Sequence, residues 1–228
     1  MPQNKKRALT LAEVLITLGV IGVVAAITIP SLIANYKAHQ LRTQFLKSYS
    51  TIQQVFRQMQ YDEISLDPAD YAHASYYKTF AKYLTGVTDC GNYGVSCFGK
   101  ELRNKNYNNI KNKWDGSFSG LLDDGVLLLQ DGSVYMFDNC PWCTDNPPIL
   151  INVDLNGFNS PPNRFGYDVF TFQLIDENIK AMGDIGTLYP DTEKYCSLSS
   201  NGSLNGISCA AKARSDADYF KWAVRNLK

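Results

Sequence analysis

The longest apolar run of the chain lies near its beginning. From residue 9 to residue 29, the polar side chains are Thr10, Glu13, Thr17 and Thr28. A helix over this run, rising ~1.5 Å per residue, crosses a hydrocarbon core ~30 Å thick. The run is also longer than the ~7–15 apolar residues of a secretory signal peptide. We therefore predict a membrane-spanning helix over residues 9–36.

Beyond Pro30 the pattern becomes amphipathic. Apolar side chains recur every three to four residues, and most polar ones fall off that stripe. The stripe consists of Leu41, Phe45, Tyr49, Ile52, Phe56 and Met59. The spacing predicts that the helix continues to about residue 60 and packs this face on the rest of the chain.

The remaining pattern predicts strands, loops and two more helices. Apolar segments at 125–129 and 133–137 flank Gln130-Asp131-Gly132, and Asp-Gly between two such segments is a hairpin signal. Two further strands are expected at 149–153 and 169–174, a loop at 62–74, and helices at 75–84 and 216–227. We predict an α+β fold, in which a long N-terminal helix packs on a small antiparallel sheet.

Charges at the start of the chain orient the predicted span. Lys5, Lys6 and Arg7 precede it, so the positive-inside bias places the leader in the cytoplasm and the later residues outside. Glu13 is unusual, because a carboxylate within a span costs roughly 2.5–3.5 kcal/mol on insertion scales. Either Glu13 reaches the headgroups, or a cut before Leu9 creates a cationic amine that pairs with it.

Six cysteines in an extracytoplasmic region indicate disulfides. Six cysteines allow fifteen connectivities, but local spacing suggests Cys90 with Cys97 and Cys196 with Cys209, leaving Cys140 with Cys143. Cys-Pro-Trp-Cys is typical of redox sites, which open a helix after a strand. Asn146-Pro147-Pro148 follows closely and prevents an ordinary helix, so we predict loops stapled by disulfides.

The N-terminal segment resembles a known export signal. Lys6-Arg7-Ala8-Leu9-Thr10-Leu11-Ala12-Glu13-Val14-Leu15, followed by Gly19, Gly22 and Pro30, is similar to the class III signal of type IV pilins and type II secretion pseudopilins. The resemblance covers about the first thirty residues. The family prefers Gly and Phe at the cut, where this chain has Ala8 and Leu9.

This resemblance implies a pilin-like fold and function. A prepilin peptidase would cut between Ala8 and Leu9, usually with methylation of the new terminus, and Glu13 would align subunits. Gly19, Gly22 and Pro30 would let the helix soften and pack in a filament. The chain would then comprise a leader (1–8), a transmembrane or filament-core helix (9–36) and a periplasmic head (37–228). Its partners would be the bacterial inner membrane, the peptidase and other pilin or pseudopilin subunits.

A different class of protein also fits an N-terminal span. An uncleaved helix would tether a periplasmic enzyme or binding protein, for which Cys140 and Cys143 are the candidate chemistry. The two histidines, His39 and His73, form no evident Ser/His/Asp set. We therefore expect a subunit that acts by assembly and not by catalysis.

One loop carries ligand chemistry. Asp154, Asn156, Asn163 and Asp168 provide carboxylate and amide oxygens of the kind that calcium prefers. The loop lacks the third acid and terminal Glu of an EF-hand, but it resembles the calcium loop in this part of major pseudopilins. The alternative is a plain Asn/Gly/Pro turn with local hydrogen bonds. Calcium is the one cofactor that this sequence suggests.

Charge argues against generic nucleic-acid binding. The whole chain is neutral, and loss of residues 1–8 leaves 19 basic and 22 acidic side chains. A local basic cluster interleaved with aromatic residues is the pattern that single-stranded nucleic acids require. It consists of Lys100, Arg103, Lys105, Lys111 and Lys113 with Tyr107 and Trp114. A solvated loop is the interpretation we favour, and no nucleic-acid partner is expected.

Overall fold

The computed structural model describes residues 10–102, 107–111, 119–139 and 148–227. Its largest element is a helix of 51 residues, α1 (Leu11–Tyr61), which passes through Pro30 without a break. The predicted extension to about residue 60 is therefore confirmed. From residue 11 to residue 33 the side chains are exposed except for Ala25, and the first buried one is Ala38.

A six-stranded antiparallel sheet, in the order β1-β2-β3-β4-β5-β6, packs against the second half of α1. The strands are β1 (Thr88–Asp89), β2 (Val126–Leu128), β3 (Val134–Asn139), β4 (Ile149–Asp154), β5 (Val169–Ile175) and β6 (Asn178–Ala181). The prediction of four strands was incomplete. It missed β1 and β6, whose two and four residues are too few to show an alternating pattern.

Five shorter helices surround the sheet. They are α2 (Tyr76–Ala81), α3 (Val95–Phe98), α4 (Thr192–Tyr195), α5 (Cys209–Ser215) and α6 (Tyr219–Asn226). The sequence pattern indicated α2 and α6, with bounds a few residues too wide. The predicted loop at 62–74 includes a single 3-10 turn at Pro68–Asp70. The fold is thus α+β, with one long helix against an antiparallel sheet.

The sheet is buried on both faces. On one face, Phe45 of α1 meets Phe170 and Phe172 of β5 and Phe220 of α6, with ring centroids 4.9, 5.6 and 5.7 Å apart. On the other face, side chains such as Met136 pack under loops that carry Leu122 and Ile207. Burial on both sides explains why every residue of β4 is inaccessible.

Two disulfides tie the covering loops together. Cys90–Cys97 joins the end of β1 to α3, and Cys196–Cys209 joins the end of α4 to the start of α5. Both pairings agree with the prediction from local spacing. Cys140 and Cys143 lie outside the described residues.

Candidate functional site

The exposed half of α1 is the first candidate site. Among the described residues, α1 is the one helix whose length and composition allow it to span a membrane. Apolar side chains along it are open to solvent, with Leu11, Ile16 and Ile27 each about 70% exposed or more. A contiguous apolar surface of this size is typical of a segment that contacts lipid or another protein.

Glu13 is held by its own helix. Thr10 Oγ1 and the Thr10 backbone N–H each donate to Glu13 Oε2 at 2.8 Å, and the Glu13 N–H donates to Thr10 Oγ1 at 3.3 Å. This is a capping box, with Thr10 as the N-cap of α1. The sequence reasoning missed Thr10, although Thr-x-x-Glu before an apolar run is the signal for such a cap. Pairing of Glu13 with a terminal amine stays a prediction.

The structure describes only some of the other residues of the predicted export signal. Gly19 and Gly22 lie within the helix, and a Cβ atom at either position would meet no atom within 4 Å. A neighbouring helix can therefore approach both positions closely. Pro30 lies inside α1. The basic leader and the predicted cut between Ala8 and Leu9 lie outside the described residues.

The second candidate site is the loop between β4 and β5. Asp154 ends β4 and Asp168 precedes β5, and both side chains are completely buried. The Leu155 N–H donates to the Asp168 carbonyl at 2.8 Å, which closes the base of the loop. Position 157 requires glycine, because a Cβ atom there would lie only 2.4 Å from the Gly132 carbonyl oxygen of the β2–β3 turn.

Backbone N–H groups surround both carboxylates. Asp154 Oδ1 accepts from Asn156 N at 3.3 Å and from Gly157 N at 3.0 Å. Asp168 accepts through Oδ2 from Asn163 N at 3.1 Å and through Oδ1 from Arg164 N at 2.6 Å. Tyr107, which is fully buried, has its hydroxyl 3.4 Å from Asp154 Oδ2.

The ionised forms of Asp154 and Asp168 are electrostatically unfavourable in their buried positions. Burial raises the pKa of Asp154, and the nearby charge of Asp168 raises it further. Burial also raises the pKa of Asp168, against the lowering effect of the Arg164 and Asn163 N–H groups. Two buried acids of this kind either keep a proton or require a cation.

The two asparagines contribute oxygens that lack partners. Asn156 donates through Nδ2 to the Ser160 carbonyl at 2.6 Å, and Asn163 donates through Nδ2 to the Phe158 carbonyl at 2.7 Å. Their Oδ1 atoms are buried and accept no hydrogen bond from any described residue. All four predicted ligands therefore lie in one loop, with two buried carboxylates and two unsatisfied amide oxygens. This donor set suits a hard cation such as calcium.

The same loop is connected to the end of α6 and to the middle of α1. The Arg164 guanidinium donates to the carbonyl of Leu227, just after α6. Lys37 of α1 is close enough to Asp168 to lower its pKa. Neither Tyr107 nor Arg164 was singled out from the sequence as part of this site, because no local motif connects either residue to Asp154 or to Leu227.

The remaining candidates are distributed over other parts of the chain. Within the described ranges, no group of three or more His, Cys, Asp or Glu side chains is arranged to hold a metal. His73 Nε2 lies 2.9 Å from Asp124 Oδ1. Tyr107 is buried, so it cannot stack on a nucleic-acid base. Lys100 lies 4.5 Å from the Phe158 ring, while Arg103, Lys105, Lys113 and Trp114 are outside the described residues.

Comparison with known proteins gives no relative. No family model matches the chain, and no curated protein or solved structure is significantly similar to it.

Proposed function

We propose that this chain is a structural subunit of a type IV pilus or type II secretion filament, a pilin, minor pilin or pseudopilin that acts by assembly. The observation that carries the proposal is the division of α1 into two environments. The same uninterrupted helix is apolar and uncovered before residue 34 and is packed into the head from Ala38 onward.

The uncovered half suits both a membrane and a filament core. In a bilayer its apolar side chains meet lipid. In a filament they meet the same half-helices of other subunits, and Gly19 and Gly22 let backbones approach. The Thr10–Glu13 cap satisfies the carboxylate within one subunit, so Glu13 is tolerated in the membrane before it finds a new partner at assembly.

The resemblance of the N-terminal segment to a pilin export signal indicates which partners the proposed function involves. A prepilin peptidase would remove residues 1–8 at the inner membrane, and the head would stand in the periplasm until other pilin or pseudopilin subunits incorporate it. The two disulfides suit that compartment.

We further propose that the β4–β5 loop holds calcium as a structural ion. Asp154 and Asp168 would neutralise its charge, and Asn156 and Asn163 would contribute their unsatisfied oxygens. Only two carboxylates are present, and calcium affinity falls as the number of charged ligands falls, so a dissociation constant on the order of 10⁻⁴–10⁻³ M is expected. The ion would fix the loop that connects to Lys37 and, through Arg164, to the end of α6.

Intact-mass measurement of the protein from membranes tests the processing step. We predict a chain that begins at Leu9 and retains the span, because the cut falls between the basic leader and the apolar run. A chain that lacks residues 1–26 would indicate ordinary signal peptidase. A chain that retains residues 1–8 would indicate a simple tether, as in the alternative of an anchored enzyme or binding protein.

A further inference from the structure

A groove of about 920 Å³ lies at the end of the head where α1 terminates, which we call the distal end. It runs between the segment that follows α1 and the β5–β6 turn. Its apolar side chains include Leu66 and Leu174. Four acidic residues line it, Glu63, Asp67, Asp176 and Glu177, and none of its described lining residues is basic.

The polar groups of this groove are available to a ligand. All four acidic residues are exposed, and none forms an ion pair within the described ranges. Gln173, only 7% exposed, also lines the groove. Its Oε1 accepts from Leu188 N at 2.8 Å, whereas its Nε2 donor has no partner in the described chain. The groove therefore offers negative charge, an amide donor and apolar surface.

The opposite end of the head, which we call the proximal end, carries four basic side chains around one loop. It is centred on the β4–β5 loop, near the point where α1 enters the head. Lys37 lies near Asp168, Lys100 lies over the Phe158 ring, and Arg225 lies in the last turn of α6. Lys111 follows a segment whose backbone pairs with Asn163, and its Nζ is 2.9 Å from Asn201 Oδ1. None of these four cations forms an ion pair in the described chain.

The two ends are about 35 Å apart, since Lys37 and Gln60 are separated by 23 residues of one helix. Every copy inserts with the same polarity, because the same basic leader precedes the same span. Two neighbouring copies displaced along the helix axis must therefore meet by different surfaces, the distal end of one and the proximal end of the next. Contacts of this heterologous kind build open filaments.

We propose that the acidic groove receives the basic proximal end of a second copy of this chain. This inference rests on the proposed function and names the contact between heads. The lysines Lys100 and Lys111 of the upper copy would approach Glu63 and Glu177 of the lower one. Opposite charges at the two ends favour this register and disfavour contact between identical ends, where like charges would meet.

Charge reversal in the full chain tests this contact. Glu63→Lys with Glu177→Lys, or Lys100→Glu with Lys111→Glu, should lower the amount of the chain in sheared filaments roughly tenfold, because like charges then face each other. All four substitutions together should restore assembly to about the wild-type amount, because the attraction returns with its sign exchanged. Glu193→Lys on α4 is the control for reversing an acidic charge away from the groove; Glu193 is exposed and pairs only with Lys212 among the described residues, and this variant should assemble normally.

A photo-reactive residue in place of Gln60, at the rim of the groove, tests the same contact without changing a charge. The expected product is a dimer crosslinked to a peptide near Lys100 or Lys111. A crosslink between two copies at residue 60, a crosslink to another protein, or charge-reversed variants that assemble like the wild type would overturn the inference. If the unmodified chain never enters filaments, the proposed function itself fails.

Discussion

At the scale of single residues, Glu13 is the side chain on which the proposed assembly depends most. Its bonds to Thr10 make it self-sufficient in a single subunit, which explains how a carboxylate is accommodated near the end of a span. In a filament, where an N-terminal amine of a processed neighbour is available, an ion pair in a low-dielectric core is the stronger alternative.

Glu13→Ala should leave membrane insertion intact or improve it, and should reduce incorporation into filaments. The reason is that the carboxylate is costly in the membrane and favourable only when it pairs at assembly. Thr10→Ala is the matched control: it removes the cap, at about 1 kcal/mol of helix stability, but keeps the charge, so incorporation should persist. Sheared-fraction immunoblots measure both, and normal incorporation of Glu13→Ala would contradict the pairing.

Asp154 and Asp168 give a second prediction at this scale. Calcium should raise the melting temperature of the full chain in detergent by about 5–10 °C when the free metal is 100 times its dissociation constant. Magnesium should raise the melting temperature much less, because its octahedral coordination shell fits an irregular loop poorly. Asp154→Ala with Asp168→Ala should abolish the difference. Asp138→Asn, which changes a half-buried acid away from the loop, should retain that calcium effect.

The raised pKa values of Asp154 and Asp168 determine how the stabilisation by calcium depends on pH. A carboxyl group whose folded pKa is raised favours the folded state at low pH, and that stability is lost as the pH rises through the folded pKa. Calcium binds the ionised forms of Asp154 and Asp168, so its stabilising effect should be larger at about pH 8 than at about pH 5. Identical melting curves with calcium and with chelator would show that the loop is an ordinary turn.

At the scale of elements, the second half of α1 is the part that holds the head together. Phe45 is completely buried between β5 and α6. Phe45→Ala should destabilise the head by about 3–5 kcal/mol, because it leaves a cavity where three elements meet. Leu46→Ala, one position along and 43% exposed, should change stability by less than about 0.5 kcal/mol. Chemical denaturation followed by tryptophan fluorescence compares them, and equal losses would contradict this packing.

The elements differ in how far the sequence predicts them. The stripe from Leu41 to Met59 predicts α1 because its period matches a helix over five turns. The hairpin at Asp131-Gly132 is predicted because those residues suit a tight turn. In contrast, β1 and β6 are too short for a period, and they exist because neighbouring strands offer an edge to pair with. The short helix α5 was missed because its apolar face consists of small residues, Ala210, Ala211 and Ala213.

The β4–β5 loop is also predicted only in part by the sequence. Residue type alone predicts which side chains carry oxygens for a cation. The burial of Asp154 beside Tyr107, and the link from Arg164 to Leu227, join segments that lie far apart in the chain. Such contacts depend on the tertiary fold, so no local sequence pattern predicts them.

At the scale of the whole molecule, the chain has a polarity. An apolar half-helix extends from one end, the basic side chains Lys100 and Lys111 lie near the point where it enters the head, and an acidic groove closes the far end. In the proposed function, copies held parallel by the membrane would present unlike ends to one another. That arrangement is suited to repeated addition of subunits in one direction, and it explains why no catalytic centre is needed for the proposed role.

The most direct test of this role is the composition of filaments sheared from cells that make the protein. The account predicts that this chain is present in them, that its first residue is Leu9, and that Glu13→Ala removes it from them while leaving it in the membrane. A chain that stays wholly in the membrane fraction, with residues 1–8 still attached and no filament containing it, would contradict the account.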